Sequence, residues 1–161
     1  MPQLPFLCGL AVLVLDQLTK HWAVSNPEGW WVVQDWFHTQ LHWNTGISFS
    51  LFANTPLANE MLWGISAQQW ALALLAVVVS IFLMGWANNS TRTPQQLALL
   101  AIAAGALGNA TDRIRFGAVV DFLSVKLPVM NIWWPSFNLA DAAICCGVIF
   151  LLVESVVWKR A

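Results

Sequence analysis

Four apolar stretches, residues 4–24, 67–86, 94–113 and 139–158, limit what this chain can fold into more than any other feature. The hydrocarbon core of a bilayer is roughly 30 Å thick and takes about 20 helical residues to cross. Within it every backbone polar group must be paired internally, so a segment facing lipid crosses as a helix. The expected fold is an all-α membrane protein with four transmembrane helices in a single domain, 1–161. Charged residues are 9% of the chain, where soluble domains carry about 25%. The net charge of −1 offers no basic surface to nucleic acid. The first stretch lacks a basic leader and an A-x-A site and carries Asp16 and Lys20, so it reads as a retained span rather than a cleavable signal.

Local signals refine this layout. Thr93-Pro94-Gln95-Gln96 reads as a capping box with proline at the first helical position. Ala101 and Gly105, and Ala104 and Gly108, are small residues one turn apart, suited to close helix packing in lipid. Asn138 reads as an N-cap that places Asp141 at the third helical position, by the positive end of the helix dipole. The connection 26–66 is expected to hold short strands in "FHTQLHW" and "GISFSLF", then a short helical piece over 57–66. Most of the eleven tryptophans, including Trp22, Trp30, Trp31, Trp63, Trp70, Trp86, Trp133, Trp134 and Trp158, fall near span ends or in connections, as an interfacial belt would. Cys8, Cys145 and Cys146 form no C-x-x-C and read as small apolar packing residues, which disfavours a disulfide oxidase.

The scarce polar residues gather at one level. With four spans, the end of the first, the end of the third and the start of the fourth lie on the same side. Asp16 and Lys20, then Asn109, Asp112 and Arg113, then Asn138 and Asp141 occupy those places, with Asn44 and Asp121 in connections on that side. A charge at bilayer depth costs at least ~2.5–3.5 kcal/mol and normally faces a bundle interior or wet cavity. A polar pocket between helices is expected. Arg115, Lys159 and Arg160 read as snorkelling anchors. Asp16–Lys20 and Asp112–Arg113 read equally well as packing ion pairs. Asp121 and Asp141 are the leading catalytic pair by placement, with a structural role still open. Intramembrane acids also mark proton paths, so a small proton-coupled transporter or channel subunit is the alternative; the uncharged second span disfavours a continuous path. A noncatalytic assembly factor is a second alternative.

The motifs "LDQLTK" (15–20), "NTG" (44–46), "GNATDR" (108–113), "VVDF" (119–122) and "FNLAD" (137–141) follow one another in an order that resembles bacterial lipoprotein signal peptidase, signal peptidase II. The resemblance covers nearly the whole chain. It implies a multi-pass protein of the bacterial plasma (inner) membrane, with both termini cytoplasmic and the site toward the extracytoplasmic leaflet. The implied activity is aspartic endopeptidase, removing the signal peptide from prolipoproteins just before a diacylglyceryl-modified cysteine. Carried over by motif, Asp121 and Asp141 are catalytic, while Asp16, Lys20, Asn44, Gly46, Asn109, Asp112, Arg113, Asn138 and Ala140 bind substrate or support the site. The 26–66 connection would form an extracytoplasmic β-rich cradle and a short interfacial helix. Prolipoprotein signal peptides and membrane lipids are the implied partners, globomycin-type peptides the implied inhibitors, and a monomer is expected. Ile47-Ser48, where the family usually has two small residues, would narrow the substrate groove, and Ala110 and Thr111 replace larger apolar residues.

No cofactor or metal is called for. The sequence has no G-x-S-x-G and no H-E-x-x-H, and the His38/His42 pair falls on a stretch that reads as strand. Two neighbouring carboxyls cannot both ionise easily, so such a pair would hold one proton near neutral pH. Asp141, at a helix N-terminus, is the expected anion, and Asp121, in apolar surroundings, the expected carrier of the proton.

Overall fold

Long apolar runs satisfy their backbones in lipid only as helices, and among the described residues four helices of membrane-crossing length form, between 20 and 24 residues long. They are α1 (Gln3–Ser25), α2 (Ala67–Asn89), α3 (Thr93–Phe116) and α4 (Leu139–Trp158). The computed structural model describes residues 3–28, 32–33, 36–46, 61–127 and 131–158. Expectations for Trp30, Trp31, Ile47-Ser48, the "GISFSLF" strand beyond Gly46, residues 57–60, Lys159 and Arg160 lie outside the described residues, as does the side chain of Trp158.

Helix α3 is the hub and packs against the other three. Of its most apolar window 67% is buried, against 22%, 17% and 11% in α1, α2 and α4. Its small residues make this possible. A Cβ on Gly105 would stand 2.6 Å from the Ala140 carbonyl oxygen, and one on Gly108 would collide with the Asp16 carboxylate. Gly147 of α4 returns the favour: a Cβ there would stand 2.9 Å from the Ala98 carbonyl oxygen of α3. Ser80 of α2 donates across to the Ala103 carbonyl at 3.1 Å. Leu83, Ala87, Leu99, Leu100, Ile102 and Ala103 form the buried apolar cluster at the far end of the bundle from the site. The outward faces carry Leu7, Leu10, Leu74, Phe82 and Leu152, as lipid contact demands. Cys8, Cys145 and Cys146 are on those outward faces too, not packed inside as expected.

The turn between α2 and α3 departs from the expected capping box. Arg92 occupies the N-cap position and Thr93 is already helical. Ser90 does the tying instead. It caps α2 through its N–H to the Ala87 carbonyl, donates its hydroxyl to Gln95 Oε1 at 2.7 Å, and its carbonyl takes Gln96 Nε2 at 2.7 Å. With both glutamines recruited by Ser90, nothing is left for Thr93 to cap reciprocally. Arg92 also reaches Glu154 of α4 at 3.0 Å, closing that end of the bundle.

A small antiparallel sheet crosses the opposite end, in the order β1 (Val32–Val33), β2 (Phe37–Asn44), β5 (Val119–Leu127), β6 (Ile132–Trp133). The strand expected in "FHTQLHW" is β2. Its main partner, however, comes from the α3–α4 connection, so the cradle is not confined to 26–66. Gly117 makes this possible: at φ 71° it ends α3, its N–H bonded to the Arg113 carbonyl at 3.0 Å. Two residues later β5 begins. The β2–β5 register places His42 opposite Asp121 and Asn44 opposite Val119, after an irregularity between Thr39 and His42. Ala23, Val120 and Phe122 are buried together beneath the sheet.

Residues Met61–Ser66 were expected to be helical and are not. They form a hairpin of β3 (Met61–Leu62) and β4 (Ile65–Ser66). Trp63 and Gly64 both take positive φ, 52° and 79°, the backbone of a two-residue primed turn and incompatible with a right-handed helix. Ser66 then caps α2, accepting the Gln69 N–H.

Candidate active site

Asp121 owes its place to the fold around it. Asp112 of α3 accepts the Val120 N–H at 3.2 Å, fixing the start of β5 against the helix it has just left. The next residue, Asp121, is only 2% exposed. Asn138 Nδ2 donates to its Oδ1 at 2.7 Å, and Asn44 Nδ2 to its Oδ2 at 3.0 Å. Burial pushes the Asp121 carboxyl up to about 7, and the negative charge of Asp141 adds to the rise; the two asparagine donors and Lys20 oppose it.

Asp141 is set by the start of α4. Asn138 Oδ1 accepts the Asp141 N–H at 2.9 Å, and Asp141 Oδ2 accepts the Asn138 N–H at 3.3 Å. This is the reciprocal pattern of a capping box, with Asn138 the cap that the sequence suggested. A further orphan donor of the helix, the Ala140 N–H, is taken by Asp16 Oδ1 of α1 at 2.9 Å. The other oxygen of Asp141 accepts from Asn109 Nδ2 at 2.8 Å. Asn138 therefore touches both carboxyls, through its side-chain amide and its backbone N–H.

Behind the pair lies an ionic cluster. Lys20 Nζ meets Asp16 Oδ2 at 2.9 Å, Asp112 Oδ2 at 2.8 Å and Asn109 Oδ1 at 2.8 Å. Three ammonium protons find three acceptors, the condition under which a charge is tolerated away from water. Asp16–Lys20 is the ion pair that the spacing suggested. Asp112–Arg113 is not: adjacent helical residues point about 100° apart, so Asp112 turns to Lys20. Arg113 turns to the Gly46 carbonyl, 3.0 Å from its Nη2. Gly46 in turn donates its N–H to Asn44 Oδ1 at 3.0 Å, closing a tight turn.

All eleven residues singled out in the sequence thus converge on one end of the bundle. Beside them a cleft of about 200 Å³ opens along the membrane-spanning faces. Its polar end is made by Asn44, Asn109, Arg113 and Asp141, and its apolar wall includes Leu72, Leu75 and Val79 of α2 and Ile144 of α4. His38 and His42 take no part together: His38 stacks edge-on against Trp133 at 4.4 Å, while His42 stands opposite Asp121. Arg115 lies outside the cluster with its guanidinium over the Phe116 ring at 4.8 Å.

The model of one protein family, described as signal peptidase (SPase) II, matches residues 8–157. The chain belongs to the signal peptidase II family. Among its relatives are proteins named lipoprotein signal peptidase from Pseudomonas putida, 37% identical over 94% of this chain and 86% of that one, and from Rhodopseudomonas palustris, 38% identical over 96% and 93%. One from Pseudoalteromonas atlantica is 36% identical over 90% and 84%. Two solved bacterial membrane enzymes share the fold. One superposes with a TM-score of 0.78 at 23% identity, over 96% of this chain and 88% of that one. The other gives 0.74 at 24%, over 94% and 92%.

For this member of the signal peptidase II family, three residues of the site escaped the sequence reading. Gln17 Nε2 bridges Asp16 at 3.2 Å and Asp112 at 3.1 Å. Gln68 and Gln69, at the start of α2, both reach the Thr45 carbonyl. Gln17 was passed over between Asp16 and Lys20, and the second span was read only for its lack of charge. Polar residues inside an otherwise apolar span were the signal that could have found them.

Proposed function

We propose that this chain is a membrane aspartic endopeptidase that removes signal peptides from diacylglyceryl-modified prolipoproteins, cutting before the lipid-modified cysteine, with Asp121 and Asp141 as its catalytic pair. The observation that carries the reading is the double contact of Asn138 with the two carboxyls. It ties a strand residue and a helix residue, distant along the chain, into one acid–base unit.

Asp121, with its carboxyl pushed up to about 7, suits the protonated member. Asp141, held at the N-terminus of α4, suits the anion. In the resulting mechanism Asp141 takes a proton from water as the oxygen attacks the scissile carbonyl. Asp121 gives its proton to the carbonyl oxygen, and a neutral tetrahedral diol forms. Return of a diol proton to Asp121 re-forms the carbonyl as the C–N bond breaks, and Asp141 passes its proton to the leaving amine. Arg113 and Asn44, at the polar end of the cleft, offer donors to the peptide. The apolar wall from α2 and α4 would lie along the acyl chains, whose burial is worth about 0.8 kcal/mol per CH₂ and favours lateral arrival.

By the same reading the protein sits as a monomer in the bacterial inner membrane, termini in the cytoplasm and the sheet end outward. A proton-coupled transporter is disfavoured because the charged cluster occupies one end of the bundle and α2 carries no charge along its length. The test is processing of a prolipoprotein by the purified protein in lipid. Cleavage of the diacylglyceryl form, blocked by globomycin and absent on the unlipidated form, is expected. No processing of either form would refute the reading.

A further inference from the structure

The Asn44–Gly46 turn is held from three directions. Gly46 N–H closes it onto Asn44 Oδ1, Arg113 grips the Gly46 carbonyl, and two glutamine amides converge on the Thr45 carbonyl. Gln68 Nε2 approaches that oxygen at 3.2 Å, and Gln69 Nε2 makes a short bond to it. Both side chains are buried, 5% and 2% exposed, in the first turn of a membrane-spanning helix. A carboxamide is costly to bury there without a task. Gln69 Oε1 has no partner among the described residues. Its amide orientation is nevertheless set, because the reverse orientation would put its oxygen against the Thr45 oxygen.

We propose that Gln68 and Gln69 are positioning residues, which clamp the Thr45 carbonyl and thereby hold Asn44 in place to donate to Asp121. The clamp rests on the reading of Asp121 as catalytic. Its effect runs through one hydrogen bond, Asn44 Nδ2 to Asp121 Oδ2 at 3.0 Å. That bond favours the ionised carboxyl and opposes the rise caused by burial. The other groups facing Asp121 come from different elements: Asp141 from α4, Lys20 from α1, Arg113 from α3 and His42 from β2. None of these is held by the glutamines. Releasing the clamp therefore loosens the turn that carries Asn44, together with the Gly46 carbonyl that Arg113 grips, and Asp121 keeps its proton to higher pH.

The experiment compares wild type, Gln69→Met, the double variant Gln68→Met/Gln69→Met, and each in an Asn44→Ala background, all purified and reconstituted. Two readouts are taken: the pH dependence of kcat and KM on a lipid-modified prolipoprotein, and the titration of the Asp121 carboxyl carbon by NMR. In the double variant kcat should fall by about 10²-fold, the order expected from misplacing a catalytic geometry, with KM little changed. The alkaline limb and the Asp121 titration should both move to higher pH. In the Asn44→Ala background the same glutamine changes should add nothing to either readout. An unmoved Asp121 titration, or glutamine effects fully additive to Asn44→Ala, would overturn the proposal. A rise in KM alone would overturn it as well, since that marks direct substrate contact. Gln69→Met retains the Gln68 bond and keeps the test open should the double variant unfold. Failure of wild type to process substrate strikes at the proposed function instead, while the titration still judges the clamp.

Discussion

Asn138 Nδ2 lies 2.7 Å from Asp121 Oδ1, a hydrogen bond between the residue that caps α4 and a residue in the middle of a sheet. Because the same cap fixes Asp141, the relative placement of the two carboxyls is decided by how α4 begins. The ionic cluster of Asp16, Lys20 and Asp112 reinforces that start from behind, through Asp16 to the Ala140 N–H.

Activity should fall on the alkaline side as Asp121 loses its proton near 7. Stability should follow the same group. A carboxyl whose folded pKa is raised binds its proton more tightly in the folded state, so its contribution is full below the unfolded value of 3.8 and is lost as pH rises through about 7. Thermal unfolding of the wild type should show this decline between those limits. Asp121→Asn should flatten it and raise Tm at neutral pH, while removing activity. A wild-type profile with no alkaline fall in kcat would contradict the assignment of the proton to Asp121.

Lys20→Met should be severe. It strands the carboxylates of Asp16 and Asp112 without their shared cation, and breaking a buried pair from one side costs about 3–5 kcal/mol. Unfolding in detergent should show a large drop in Tm. Adding Asp112→Asn should recover part of it, since one stranded charge is then gone.

The glycine seam gives a graded test. Gly108→Ala drives a methyl into the Asp16 carboxylate and toward Ala140, and overpacking of this kind costs about 1–3 kcal/mol. Gly85→Ala on α2 meets nothing within 4 Å and should stabilise slightly, by about 0.4–1 kcal/mol. Equal Tm values for the two variants would rule out the close approach of α3 to the Asp16 carboxylate of α1.

How much of this was legible in the sequence follows from the range of each signal. The Asn138–Asp141 cap and the Asp16–Lys20 pair are three and four residues apart, and such spacings are readable because helix geometry alone brings them together. The end-of-span parity placed the polar groups at one level for the same reason. The pairing of β2 with β5 was not legible, since a register that sets Asn44 opposite Val119, far apart along the chain, depends on how four helices stack first. The hairpin at Met61–Ser66 was misread because its short apolar run fits either period, and only the positive φ of Trp63 and Gly64 separates them. The Ser90 tie was missed for a different reason: Thr93-Pro94 satisfied a local capping rule, whereas the partner that both glutamine side chains take is Ser90, outside the helix.

The most direct test is single-turnover cleavage of a diacylglyceryl prolipoprotein by Asp121→Asn and Asp141→Asn, each shown to be folded. Loss of one member of an acid–base pair should slow the reaction by about 10²–10⁴-fold or more in both variants, with substrate still bound. Cleavage within a few-fold of wild type in either folded variant would contradict a two-carboxyl mechanism centred on Asn138.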